Sequence, residues 1–178
     1  MEKLKTKPAF LDKATTWKRG NQYEDFEEGQ VYEHHWGRTI NSGDNSLFSS
    51  LTLHYTPLYF NVEYAKEMGH DKIPVNPLLV FNTVLGLSVE DLSEGGNGPF
   101  LGINELEYHA TVYEGDTITC KSTVIGKRTS QKNPTHGIVS WKTEGFNQLG
   151  ILVLSFKRSN LITFKATMDN KDSVFGRK

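Results

Sequence analysis

Six histidines and one cysteine hold most of this chain's capacity to move protons, attack carbon or bind a metal. Imidazole titrates near neutral pH, so His54 can act as acid or base, or stand as a hydrogen-bonded histidine beside a pocket. Tyr59 follows in the same segment, where its phenol can donate to a substrate oxygen or merely fill space. Thr56 lies between them, and Asn61 closes the segment as a helix N-cap or a ligand. Asn76 precedes Pro77, so its side chain either caps a helix or offers an amide to a substrate. His34 and His35 are adjacent in a strand pattern and must point to opposite faces. His70 follows Gly69 at a helix end, where a cation suits the dipole. His109 and His136 read as structural or solvated. Cys120 has neither a basic neighbour nor a helix start to activate it, and it reads as a core thiol. No Cys/His spacing suits zinc, so no metal is expected.

These groups need elements to hold them. Val31, Tyr32, Trp36, Thr39 and Ile40 suit a strand over 30–40. Asn41 to Asp44 supply turn and cap chemistry, and Leu47, Phe48, Leu51 and Leu53 then predict a helix over about 45–53. Asn61 can cap a second helix, Val62 to Met68, with Gly69 after it. Asn76 as cap and Pro77 at the first turn open the clearest helix, Leu78 to Val89. Its apolar residues cover nearly every face, as in a buried helix. Strands are then predicted over 100–112, 117–129, 137–144 and 151–164. The order predicts an α+β fold, one antiparallel sheet with a long apolar helix against it. One face of one sheet cannot cover such a helix, so a second copy of the chain is expected.

The chain has 178 residues, 37% hydrophobic and 23% charged, which suits one soluble globular domain. The domain is expected over 29–165, after a surface extension over 1–28 and before a polar tail over 166–178. Net charge is −1, which gives no reason for a nucleic-acid partner. The longest apolar run, Ile73 to Leu87, is interrupted by Pro74, Asn76, Pro77 and Asn82 and is too short to span a bilayer. No signal-peptide core is visible, and one cysteine permits no internal disulfide, so a cytoplasmic setting is expected.

Several ordered segments resemble the MaoC-like dehydratases, a hot-dog-fold family, over about 30–164. They are Gly37-Arg38-Thr39-Ile40-Asn41, the run Leu51 to Ala65, Ile73-Pro74-Val75-Asn76, Tyr113-Glu114-Gly115-Asp116-Thr117 and Gly145 to Gly150. The LT-x-x-x-x-PL-x-F run Leu51 to Phe60 is closest to mesaconyl- and itaconyl-CoA hydratase-like members. The resemblance implies a bent sheet around one helix and a dimer. It also implies a thioester substrate on CoA or a carrier protein, and no metal or redox cofactor.

Hydrating an enoyl thioester takes a base for water, an acid for the α-carbon and donors for the thioester oxygen. In this family's D-x-N-P-x-H pattern the Asp position falls on His54, the Asn on Thr56 and the His on Tyr59. The His-Gly before the long helix falls on Asn76 and Pro77, and Pro77 has no N–H to donate. The resemblance thus assigns His54 most of the proton transfer, with Tyr59 orienting or protonating. The thioester is expected at the helix start, held by the Leu78 N–H or the Asn76 side chain, with Thr56 and Asn61 nearby. Arg38, Lys72, Lys127 and Arg128 are the cations that could meet CoA phosphates. A hot-dog protein that binds a thioester without hydrating it is the alternative, and a thioesterase is a third reading. The last would need a water-activating acid that the 50–62 segment lacks.

Overall fold

The computed structural model describes residues 20–94 and 97–167. Within them run β1 (Val31–Glu33), β2 (Arg38–Thr39), α1 (Ser42–Leu51), α2 (Val62–Glu67), α3 (Pro77–Leu87) and α4 (Val89–Leu92). Four long strands follow, β3 (Asn97–Tyr108), β4 (Thr117–Thr129), β5 (His136–Phe146) and β6 (Leu152–Thr163). The sheet is antiparallel in the order β1-β4-β5-β6-β3, with β2 also on β4. This is the expected α+β hot-dog arrangement, one sheet with α3 against it.

Alternation on the strands makes the face that receives α3. Along β5 every second residue, Gly137, Val139, Trp141, Thr143 and Gly145, is buried. Val80 and Val84 of α3 join Ile118, Cys120, Leu154 and Phe156 in one core cluster. Phe81 meets Phe156 edge to face, with ring centroids 5.2 Å apart. Gly145 sets how close the helix can come: a Cβ there would stand 2.6 Å from Val84 Cγ2. The sheet covers only one side of α3. Leu78 remains 45% exposed and Val80 and Val84 are the buried pair of the helix.

The structure departs from the sequence expectations in four places. The single strand over 30–40 is two short ones, paired to β4 in separate registers. The chain breaks between them where His34 turns into the interior, bonding Asp91 and Ser122. The helix over 45–53 runs over 42–51 instead. The Asn41 side chain accepts from the Asp44 N–H, and Asp44 accepts from the Asn41 N–H, which starts the helix early. The helix turns polar residues inward. Asn45 and Ser49 are fully buried, whereas Leu51 is 74% exposed. Third, the strand expected over 100–112 ends at Tyr108, and Val112 instead accepts from the Val75 N–H.

The fourth departure concerns the expected surface extension over 1–28. Residues 20–28 pack on the sheet, with Phe26 at 0% exposure in a second core cluster with Leu92, Val124, Val139, Trp141 and Ile162. Lys127 Nζ donates to the carbonyl oxygens of Tyr23 and Phe26 at 3.0 and 2.6 Å and covers the Tyr23 ring. Residues 1–19, and 168–178 of the expected tail, lie outside the described residues. No helix among the described residues is long and apolar enough to cross a membrane.

Candidate active site at the start of the central helix

Three side chains from separate segments meet where α3 begins. Asn76 is its N-cap: the Oδ1 accepts the Leu78 N–H at 3.0 Å. That bond fixes which end of the amide is oxygen, because a backbone N–H can only donate. The Nδ2 therefore points the other way and donates to Ser49 Oγ at 3.0 Å and to His54 Nδ1 at 3.1 Å. Asn76 is held from behind by its own N–H, which donates to Asn45 Oδ1 at 2.9 Å. Asn45 Nδ2 in turn donates to the Pro74 carbonyl at 3.1 Å. Asn45, Ser49 and Asn76 are all fully buried, so α1 turns its polar pair inward to satisfy this cap.

The end of α1 aims His54. The His54 N–H donates to the Ser49 carbonyl at 2.8 Å, and the Leu53 N–H to Ser50 at 3.2 Å. This pair of bonds is a Schellman closure, which needs a left-handed residue between. Leu53 holds that conformation, with φ 59°, where glycine is usual. The half-buried His54 ring then meets Tyr59 edge-on, with centroids 5.2 Å apart. Tyr59 sits on the single turn Pro57–Tyr59.

A cavity of ≈ 320 Å³ opens beside this turn, lined among others by Tyr59, Pro77, Val80, Tyr108 and His109. His54 and Asn76 do not line it; they stand behind Tyr59 and Pro77. Tyr108 donates from its hydroxyl to the Pro77 carbonyl at 3.1 Å. Burial raises the pKa of Tyr59, and burial together with the neighbouring Tyr59 raises that of Tyr108. Both phenols stay protonated at neutral pH and present O–H groups.

The other predicted site residues fall elsewhere. Asn61 caps α2, its Oδ1 accepting from the Glu63 and Tyr64 N–H groups. Thr56 precedes the Pro57–Tyr59 turn, its carbonyl accepting the Tyr59 N–H at 3.1 Å, and its side chain makes no cap bond. The Leu78 N–H, expected to face substrate, is already on Asn76. Both hydrogens of the Asn76 amide are likewise taken. Arg38 pairs with Asp44 at 2.7 Å, and Lys127 serves the N-terminal segment. Sequence reasoning missed Asn45, Ser49 and Tyr108. The signal for the first two was their spacing of four, which puts two polar residues on one face of α1.

Two other clusters invite a chemical reading. Asp91 accepts from His34 Nδ1 at 2.7 Å, and His34 Nε2 stands 2.9 Å from Ser122 Oγ, the order of a nucleophile relay. Ser122 is fully buried and its oxygen is shared with Thr143 at 2.8 Å, so the chain of bonds ties the segment after β1 to α4, β4 and β5. Cys120 is buried, its thiol pushed up to about 12 by burial, and it is no nucleophile. Among the described residues no group of three His, Cys, Asp or Glu could hold a metal.

A family model described as mesaconyl-CoA hydratase matches residues 3–174. The mesaconyl-CoA hydratase of Haloarcula hispanica is 36% identical over 155 residues, which cover 86% of this chain and 43% of that protein. The beta-methylmalyl-CoA dehydratase of Chloroflexus aurantiacus is 37% identical over 139 residues, 78% of this chain and 39% of that one. A solved MaoC domain protein from Chloroflexus aurantiacus matches with TM-score 0.80 and 33% identity, over 85% of this chain and 43% of its own. The chain thus spans less than half the length of the curated relatives it matches.

Proposed function

The chain belongs to the mesaconyl-CoA hydratase family, and from that premise we propose that it adds water to, or removes it from, an acyl thioester. The substrate is α,β-unsaturated in one direction and β-hydroxylated in the other, carried on CoA or on a carrier protein. A branched acyl chain with a second carboxylate, as in the substrates named for the relatives, suits the subgroup. The observation that carries this reading is the convergence of His54, Tyr59 and Asn76 beside a cavity at the start of α3. Catalysis of this kind is stabilisation of an enolate-like oxygen plus proton movement, and it calls for no metal or redox cofactor. His54 and Tyr59 are the residues assigned to the reacting thioester.

The test is mass spectrometry of the protein incubated with crotonyl-, mesaconyl- and itaconyl-CoA. Gain of one water is expected, fastest on a dicarboxylic chain. Release of free CoA would overturn the reading in favour of a thioesterase. Binding with no change of mass would favour a second reading, a thioester-binding module. One observation supports that alternative: the polar groups bonded around Asn76 offer no carboxylate to activate water except Glu114, whose Oε1 lies 3.4 Å from Asn45 Nδ2.

A homodimer completes the proposal. α3 keeps Leu78 exposed, α1 exposes Leu47 and Leu51, and β3 is a sheet edge carrying exposed Phe100 and Leu101. A long edge strand of this kind invites pairing, and a second copy would cover all three. Light scattering is expected to give about twice the chain mass of 20.1 kDa at low micromolar concentration. A stable species of one chain mass would refute the dimer.

A further inference from the structure

An enolate forming at the thioester oxygen needs hydrogen-bond donors, and beside the Tyr59 hydroxyl the start of α3 has no backbone N–H free. Pro77 has no N–H. The Leu78 N–H is on Asn76 Oδ1 at 3.0 Å. The Leu79 and Val80 N–H groups both reach the Asn76 carbonyl, at 2.9 and 3.2 Å. The Asn76 amide hydrogens go to Ser49 and His54. His54 is different. Its Nδ1 faces a donor and must accept, so the neutral ring carries its proton on Nε2. Among the described residues Nε2 has no hydrogen-bond partner. A doubly protonated ring would set Nδ1–H against the Asn76 N–H.

We propose that His54 acts as a neutral hydrogen-bond donor through Nε2–H, held in that tautomer by the buried Asn76 amide, and that this N–H binds the thioester oxygen of a substrate that passes Tyr59, the ring standing between His54 and the cavity. The proposal rests on the thioester reading above and changes the role that the sequence assigned. His54 transfers no proton: the nitrogen that could accept one is occupied, and the ring meets the developing negative charge as a donor. Asn76 is a positioning residue. It touches the imidazole, and the imidazole touches the substrate. Ser49 and Asn45 hold Asn76 in turn.

The experiment is long-range proton–nitrogen correlation NMR of the uniformly labelled full chain at neutral pH, with His54 assigned from the spectrum of His54→Gln. The expected spectrum shows His54 protonated on Nε2 alone. An Nδ1–H tautomer, or a doubly protonated ring, would overturn the proposal. Saturation with methylsuccinyl-CoA, an unreactive saturated thioester, is expected to shift the Nε2–H resonance downfield. No shift would overturn the donor role.

Asn76→Asp is the diagnostic variant, because a carboxylate keeps an oxygen for the Leu78 N–H while offering an acceptor to Nδ1. It is expected to move the proton to Nδ1 and to lower kcat ~10²–10³-fold, the usual cost of an oxyanion donor, with KM changed by less than about threefold. A switched tautomer with undiminished turnover would also overturn the proposal. Absence of hydration with the Nε2–H shift intact would sink the hydratase reading and leave the donor role standing.

Discussion

Replacing His54 by leucine is expected to lower kcat on the active thioester ~10²–10³-fold, and replacing it by glutamine to lower it only about tenfold. The two variants separate donation from proton transfer. Leucine removes the N–H and the ring together. Glutamine cannot serve as an acid or base, but its amide reaches about as far as Nε2 and can still donate. A histidine that shuttles protons contributes ~10²–10⁴-fold, and both variants would then fall together by that amount. The buried Asn76 amide against Nδ1 favours the first outcome, since it leaves the ring with a proton to share and no free lone pair. The measurement is kcat and kcat/KM for both variants on the thioester that proves active. Equal losses would return His54 to acid–base work, and no loss in either would remove it from the site.

Phe26→Ala is expected to cost ~3–5 kcal/mol of stability, the usual range for truncating a buried phenylalanine. For a chain of this size that lowers Tm by roughly 6–20 °C. Phe26 has no exposed surface, and its ring meets Trp141 at 5.3 Å between centroids and 73° between planes. It plugs the end of the sheet where Val124, Val139 and Ile162 come together. Alanine would leave that cluster hollow and remove the ring against which both Trp141 and Tyr32 pack. Thermal unfolding followed by circular dichroism reads the shift. A Tm within about 2 °C of wild type would show that residues 20–28 lie on the surface in solution.

How far the sequence could be read depended on whether a signal was local. The start of α3 was legible because a cap and a proline stand side by side, and both act within one turn. Strand β4 was legible to its ends because a turn precedes it and a loop follows. The face of α1 was not. Apolar spacing predicted a helix there but named no inward face, and the cap of α3 needs Asn45 and Ser49, a demand that comes from residues about thirty positions away. Phe26 was lost for a similar reason. It sits among charged residues, and only the folded sheet offers it a pocket. For the site, the resemblance drew attention to His54, Tyr59 and Asn76. Which nitrogen of His54 carries the proton depends on a 3.1 Å contact between a loop and a helix cap, and no spacing in the chain encodes it.

Leu53 puts two design goals in conflict. A leucine at φ 59° carries roughly 1–2 kcal/mol of backbone strain that glycine would not. It is 74% exposed, so its side chain returns little of that in packing. Selection for heat resistance alone would therefore enrich glycine at position 53. The same change would loosen the hinge from which His54 hangs, because glycine opens further backbone states to the residue just before it. A thermostabilised lineage and a fast one are thus expected to part company at this residue, with the strained leucine kept wherever turnover is what selection measures.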